Sequence, residues 1–361
     1  MLADDLTGAC DAAAPFAMRG LRTEVGVARN ASPSPLCDIW ACSSESRDSD
    51  AQLVDQTILR SLNRLPPARV LFKKIDSVLR GNTMVEIAAI RRLRPEGVAV
   101  LAPSFPHAGR TVRGGMLEIH DLMGTRTLAL LSPLRELGLA VHGIAASNDP
   151  CELRREMQTH AASKGSLLLC DAESQEHLEA LVNAVDSIAA PLWIGSAGLA
   201  HALARRWSGA SAEQETKSPA SREAVKALLF FIGSTHAATR AQVEAIEHHE
   251  ATHVQVIQVP RGHSSRELIL DTVFGLRAEE IGCLFVTGGD TASVVFAALG
   301  ITALHVVDEF ASGIPHCIAI GGRFEGVPVL LKSGGFGRSS LLCEVAENFS
   351  AVQQQVGRSS L

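Results

Sequence analysis

Short apolar runs recur along this chain, each followed by a polar or glycine-bearing loop and then by residues at helical spacing. Residues 70–72, 97–102, 167–170, 192–195, 226–232, 253–259 and 282–286 read as strands. Residues 83–93, 174–188, 237–248, 265–277 and 291–299 read as the intervening helices. A strand that feeds a helix re-enters its sheet in parallel, so the alternation restricts the fold to α/β layers with mostly parallel sheets and helices on their faces. The ends are read in the same way: a helix over 9–19, kinked or shortened by Pro15 and stopped by Gly20, strands at 21–28 and 37–42, and helical spacing over 50–63. Strands at 316–321 and 327–332 precede a closing helix from about 339.

A chain of 361 residues is long for one hydrophobic core. The rhythm breaks at 207–220, where small and polar residues lack periodicity. The expected organisation is therefore two α/β domains, 1–206 and 221–361, joined by a linker at 207–220, with the ligand site in the cleft between them.

Four loops carry the chemistry: Ala3-Asp4-Asp5-Leu6-Thr7-Gly8, Lys73–Asn82, Thr287-Gly288-Gly289-Asp290-Thr291 and Lys332-Ser333-Gly334-Gly335-Phe336-Gly337. All follow predicted strands, where open α/β sheets bind ligands. The first two are rich in charge. One of Asp4 and Asp5 is expected to cap the following helix and the other to accept from a ligand hydroxyl. Asp76-Ser77 lies between Lys73, Lys74 and Arg80, which suits a polyhydroxy acid: a cation neutralises the carboxylate and an acid takes a hydroxyl proton. Arg47 and Arg110, also in loops after strands, are further candidates. The other two loops, with Ile232-Gly233-Ser234-Thr235, are rich in glycine and hydroxyls, and glycine lets the backbone approach a phosphate. Three such loops on one sheet point to a nucleotide. Neither Gly-x-x-x-x-Gly-Lys-Ser/Thr nor a Gly-x-Gly-x-x-Gly opening a first helix occurs, so neither a P-loop protein nor a dinucleotide dehydrogenase is expected.

Net charge is −6, which argues against a nucleic-acid partner, since phosphate neutralisation needs a basic face. The eight cysteines form no Cys-x-x-Cys pair and mostly sit in apolar runs, as expected of reduced thiols in the cytoplasm. No signal peptide is read at the N-terminus, and no apolar run is long enough to span a bilayer. His249-Glu250-Ala251-Thr252-His253 matches the His-Glu-x-x-His zinc pattern, but the alternation from Val254 on puts His253 past the helix, so no metal site is expected there.

In these motifs, together with Phe105-Pro106, Gly109-Arg110-Thr111, Gly195-Ser196-Ala197-Gly198-Leu199-Ala200 and Gly233-Ser234, the chain resembles the four-carbon acid sugar kinase family nearly end to end. The resemblance implies a two-domain α/β kinase whose N-terminal domain holds a threonate, erythronate or 3-oxo-tetronate and whose C-terminal domain holds ATP with Mg²⁺. It implies transfer to the terminal hydroxyl of the acid. Carried over by motif, Asp5, Arg47, Lys74, Asp76, Ser77, Arg80, Gly81 and Asn82 face the substrate, with Asp76 by preference and Asp5 next as the proton acceptor. Ser234, Gly288, Gly289, Asp290, Thr291, Gly334 and Gly335 face ATP. The expected partner is a small-molecule sugar acid, with no nucleic acid and no membrane; a homodimer is allowed. Family members carry a full strand before the first loop, whereas only Met1-Leu2-Ala3 precede it here, so a short first strand is expected. Two alternatives stand beside the kinase: a sugar-acid or nucleotide binding protein without catalysis, and another nucleotide-dependent acid-activating enzyme such as an acid–AMP ligase.

Overall fold

Asp5 converts the first strand into the first helix. Its backbone is extended and its Oδ1 accepts from the Gly8 N–H at 2.7 Å, satisfying a free helix-start donor, so the helix begins at Leu6, ahead of the expected residue 9. Pro15 is buried inside this helix without ending it, because the helix runs on only to Ala17. The computed structural model describes residues 1–121, 124–161, 165–185, 191–207, 226–249, 253–260 and 264–354. The expected linker at 207–220 lies outside them except for Trp207.

The chain begins β1 (Leu2–Ala3), α1 (Leu6–Ala17), β2 (Thr23–Gly26), β3 (Ile39–Ser43), α2 (Val54–Leu62), β4 (Leu71–Lys74), α3 (Thr83–Leu93) and β5 (Ala99–Ala102). It continues β6 (Arg110–Arg113), β7 (Met116–Asp121), β8 (Gly124–Ala129), α4 (Leu131–Glu136), β9 (Val141–Ile144), α5 (Pro150–Ala161), β10 (Leu167–Cys170), α6 (Gln175–Val185), β11 (Leu192–Gly195) and α7 (Ala197–Trp207). Then follow β12 (Ala227–Ile232), α8 (Ala237–Glu247), β13 (Val254–Gln258), α9 (Ser264–Thr272), β14 (Ile281–Thr287), α10 (Gly289–Leu299), β15 (Ala303–Ala311), β16 (Ile314–Ile320), β17 (Pro328–Lys332) and α11 (Leu341–Gln354).

Two compact units result. The first comprises Met1–Arg19 and the described part of Ala41–Ala212; the second comprises Gly20–Trp40 and the described part of Glu213–Leu361. The expected single cut near residue 207 therefore needs correcting at Gly20–Trp40, which packs with the C-terminal residues. The reason is strand pairing: β2 runs antiparallel to β15, from Thr23 opposite Val306 to Gly26 opposite Ala303.

In the first unit the strands run parallel in the order β3-β1-β4-β11-β5-β10-β9. Strands covered on both faces are mostly apolar, and Ala99–Ala102, Leu167–Cys170 and Leu192–Gly195 are buried at every position. The short β1 is central, with Leu2 opposite both Cys42 and Lys73, and Leu2 is fully buried. Burying such a leucine contributes roughly 1.5–3 kcal/mol. An antiparallel β6-β7-β8 sheet, absent from the sequence reading, turns at Gly114-Gly115, both with positive φ, as a two-residue hairpin requires.

In the second unit β13-β12-β14-β17 are parallel and β16, β15 and β2 extend them antiparallel. Phe230, Phe285, Leu330, Leu341 and Val345 form part of its core. All eight cysteines are free thiols. Among the described residues no helix is long and apolar enough to cross a membrane.

Candidate active site

In the first unit, β1, β3 and β4 end together and deliver three loops to one place. Asp4 and Asp5 follow β1, Arg47 follows β3, and Asp76 follows β4. Arg47 joins them. Its Nε donates to Asp4 Oδ2 at 2.7 Å, its Nη1 donates to Asp5 Oδ2, and its Nη2 lies 3.6 Å from Asp76 Oδ2. Burial alone would weaken the charge of Arg47; the three carboxylates outweigh burial and strengthen its hold on the proton.

The acids differ in what remains open. Asp5 is the helix cap, and its other oxygen accepts from Thr7 Oγ1 at 2.8 Å as well as from Arg47. Asp4 is 1% exposed, and among the described residues its Oδ1 has no hydrogen-bond partner. Of the expected pair, then, Asp5 caps and Asp4 keeps the open oxygen. Burial opposes the charge of Asp4, but Arg47, Lys73 and Lys74 prevail and hold its carboxyl below the usual range.

Asp76 is fully engaged. Its Oδ1 accepts from the N–H groups of Val78 and Arg80 at 2.9 and 3.2 Å, and its Oδ2 accepts from Arg80 Nε and Nη2 at 3.0 and 2.5 Å. Burial is overcome by Arg80 and Arg47, and the carboxyl sits well below the ordinary range. The loop it caps holds Leu79 at φ 60° and Gly81 at φ 63°. A leucine in that region is strained by about 1–3 kcal/mol, a strain found where a loop is shaped for a ligand.

The other predicted residues divide. Arg80 is half exposed and faces solvent. Ser77 is half buried beside Asp76. Gly81 and Asn82 support the loop: a Cβ on the exposed Gly81 would stand 2.1 Å from the Arg47 carbonyl oxygen, and Asn82 Nδ2 donates to the Ser46 and Ser49 carbonyls at 2.9 and 2.7 Å. Lys73 and Lys74 belong to β4 itself. Lys73 is fully buried, 2.8 Å from Glu86 Oε2, an internal pair beneath the site. Lys74 Nζ lies 3.7 Å from Asp11 Oδ2.

Asp11 was missed by motif reading. It stands on α1 with its carboxyl 16% exposed, raised first by burial and further by Asp5 and Asp76, against Lys74. The signal was available: Asp11 is one acid within the small, apolar run Ala9–Ala14. Arg110, half buried at the start of β6, donates Nη1 to the Ala108 carbonyl and has no partner at Nε. By contrast, Gly195–Ala200 packs. Ser196 is buried with its Oγ on the Ser104 carbonyl, and a Cβ on Gly198 would meet that carbonyl oxygen at 2.4 Å.

In the second unit three loops meet after β12, β14 and β17. A Cβ on Gly233 would lie 1.7 Å from Thr291 Oγ1, and one on Gly334 would lie 2.2 Å from Ser234 Oγ. Close backbone approach therefore explains these glycines. Gly288, at φ 94°, is the N-cap of α10 and leaves the helix start without a side-chain cap, so among the described residues the N–H groups of Gly289, Asp290 and Thr291 have no acceptor. Thr291 lies within the helix, not at its cap, and Asp290 is exposed on the first turn. Gly335 lies over the ring of His236. Uncapped helix amides beside glycine loops form an anion-binding arrangement.

The zinc-like motif does not assemble on one helix. His249 follows α8 and lies 3.1 Å from Glu347, and His253 directly precedes β13; residues 250–252 lie outside the described residues. Among the described residues no group of three or more His, Cys, Asp and Glu is arranged to hold a metal ion.

Residues 1–203 match the family model of a sugar-binding N-terminal domain, and residues 261–342 match that of a nucleotide-binding C-terminal domain. The chain is 33% identical to the D-threonate kinase of Bordetella bronchiseptica, over 96% of each chain. It is 27% identical to the 3-oxo-tetronate kinase of Methylobacterium radiotolerans, over 93% of this chain and 95% of that one. A solved Salmonella typhimurium protein shares the fold with a TM-score of 0.72 at 22% identity, covering 96% of this chain and 98% of that one.

Proposed function

Because the chain belongs to the four-carbon acid sugar kinase family and is a phosphotransferase acting on an alcohol, we propose that it moves the γ-phosphoryl group of ATP to the terminal hydroxyl of a sugar acid, D-threonate first and a 3-oxo-tetronate second. The observation that carries the reading is the buried Asp4 Oδ1 without a partner, set beside Arg47 in a ring of opposed charges. A polyhydroxy acid answers both halves of such a ring: a hydroxyl donates to the open carboxylate oxygen, and the substrate carboxylate meets a guanidinium. Arg47 is buried and engaged by three acids, so the substrate carboxylate is assigned to Arg80, half exposed and held by Asp76 alone, and to the half-buried Arg110.

The proton goes to Asp11. Asp76, with both oxygens accepting from N–H groups and its proton affinity depressed, serves to hold Arg80 and the loop. Asp11 has Lys74 at 3.7 Å and a carboxyl pushed upward by burial, the direction a base needs. The acid's terminal oxygen attacks the γ-phosphorus, its proton passes to Asp11, and the bond to the β-phosphate oxygen breaks to leave ADP. Such transfer is mostly positioning and charge stabilisation. On the nucleotide side the amides at the start of α10 and those of Gly334, Gly335 and Gly337 face the phosphates. Mg²⁺, which would neutralise charge on the transferring phosphoryl group, would be held largely by the phosphates, with Asp290 on the first turn of α10 as the carboxylate at that helix start.

The test is ADP release from Mg-ATP with D-threonate, D-erythronate and 3-oxo-tetronates, with the product analysed for phosphate on the terminal carbon. AMP in place of ADP would mean an acid–AMP ligase. Acid binding without turnover would mean a binding protein. Asp11→Asn is expected to lower kcat by about 10²–10⁴-fold with KM for the acid little changed. Wild-type turnover in Asp11→Asn beside an inactive Asp76→Asn would return the base to Asp76.

A further inference from the structure

The carbonyls of residues 333–338 are turned almost entirely toward the protein. Lys332 Nζ donates to the carbonyls of Ser333, Gly334 and Phe336 at 3.3, 2.9 and 3.1 Å, and to Thr239 Oγ1 at 3.0 Å. Thr239 Oγ1 donates in turn to the Gly334 carbonyl at 2.8 Å. Gln242 Nε2 reaches the carbonyls of Phe336, Gly337 and Arg338 at 3.1, 3.0 and 2.9 Å. Three side chains, from β17 and α8, thus draw in the carbonyls of Ser333, Gly334, Phe336, Gly337 and Arg338. Among the described residues the N–H groups of Gly334, Gly335 and Gly337 have no acceptor in the chain.

We propose that Lys332 is the positioning residue of the nucleotide loop: its ammonium, with Thr239 and Gln242, pins the carbonyls inward so that the loop amides stand free for phosphate. This rests on the ATP reading above and deepens it. Thr239 spends its own hydrogen on Gly334, so it can only accept from Lys332; with Gly334 and Phe336 also accepting, all three N–H bonds of an ammonium are in use. A neutral amine has one too few. The lysine is fully buried, and burial alone pushes its proton affinity down to about 7. A buried cation answered only by dipoles is half of an anion site. Phosphate arriving over the loop supplies the missing charge, so nucleotide binding raises the affinity of Lys332 for its proton. Ionisable groups on the elements and loop that carry its partners and on the adjacent α10 include His236, which caps α8, Arg240 on α8, Asp290 on α10, and Arg338 with Glu344, which pair with each other at 2.8 Å.

The experiment is titration calorimetry of the full chain with ADP and ATP at about pH 8, in buffers of differing ionisation enthalpy; there histidine and the nucleotide phosphates are already deprotonated. Wild type is expected to take up a fraction of a proton on binding. Lys332→Met, of similar length but without donors, is expected to lose that uptake and to weaken nucleotide binding about 10- to 100-fold, with the affinity for sugar acid unchanged. A folded Lys332→Met that binds nucleotide within twofold of wild type would overturn the proposal while leaving the ATP reading intact. A wild type that binds no nucleotide would remove both. Should Lys332→Met fail to fold, Gln242→Leu is expected to weaken nucleotide binding by itself, and unchanged affinity in that variant would count against the proposal.

Discussion

Arg47→Met is the perturbation whose size follows most directly from the structure. The guanidinium is 14% exposed and touches Asp4, Asp5 and Asp76. Its loss falls unevenly on the three. Asp76 retains Arg80 and two backbone N–H groups, and Asp5 retains Gly8 N–H and Thr7 Oγ1. Asp4 loses the one side-chain donor on Oδ2 while Oδ1 is already without a partner. The penalty is capped, because Asp4 can take up a proton. From an ordinary carboxyl value, protonation at pH 7 costs about 4 kcal/mol, and at pH 5 about 1.5 kcal/mol. The first figure agrees with the roughly 3–5 kcal/mol usual for orphaning one partner of a buried pair.

The sign follows from the shifts. In wild type the Asp4 carboxyl is depressed, so its contribution is present above the unfolded value and is lost only as pH falls through the folded one. In the variant burial is opposed by Lys73 and Lys74 alone, so the carboxyl rises and stability is recovered as pH falls. The deficit of Arg47→Met should thus shrink by about 2.5 kcal/mol between pH 7 and pH 5. Urea titration read by hydrogen exchange on peptides covering β4 and β11 reports the first unit alone. A deficit below about 1 kcal/mol at pH 7, or one equal at both pH values, would refute the reasoning.

Two glycines give further expectations. Gly81→Ala forces a side chain into positive φ and 2.1 Å from the Arg47 carbonyl oxygen, so the first unit should lose at least about 1–3 kcal/mol and sugar-acid affinity should drop; an unchanged melting profile would contradict this. Gly233→Ala places a Cβ 1.7 Å from Thr291 Oγ1 and 2.8 Å from its Cβ, which a rotamer change cannot relieve. The expected result is a loss of about 1–3 kcal/mol in the second unit with weaker nucleotide binding, and equal binding by calorimetry would show that the two loops are not held in contact.

Much of the fold was legible locally because buried parallel strands are apolar at every position and bounded by polar loops. Leu167–Cys170, Leu192–Gly195 and α3 fall where pattern reading puts them. The harder elements have mixed faces. β15 is buried at Ala303, Leu304 and Val306 and half exposed over its second half, so it carries no unbroken apolar run, and it was overlooked. The positions of the four polar loops were legible as well, since charged and glycine-bearing segments interrupt the apolar runs.

What the sequence by itself determined, then, is the α/β class, the strand–loop–helix order and the chemical character of each loop, because these depend on residue type and short-range spacing. Tertiary structure alone decided that Gly20–Trp40 joins the C-terminal residues, since strand pairing over long separation leaves no local mark. It also decided the division of labour among the acids. Asp5, the motif's expected ligand, is consumed as a helix cap, Asp76 is filled by Arg80, and Asp4 and Asp11 keep the open carboxylate oxygen and the raised carboxyl. Whether a carboxylate is engaged or free depends on which donors arrive from other strands, and burial sets its charge. Neither quantity is a property of the residue or of its neighbours in the chain.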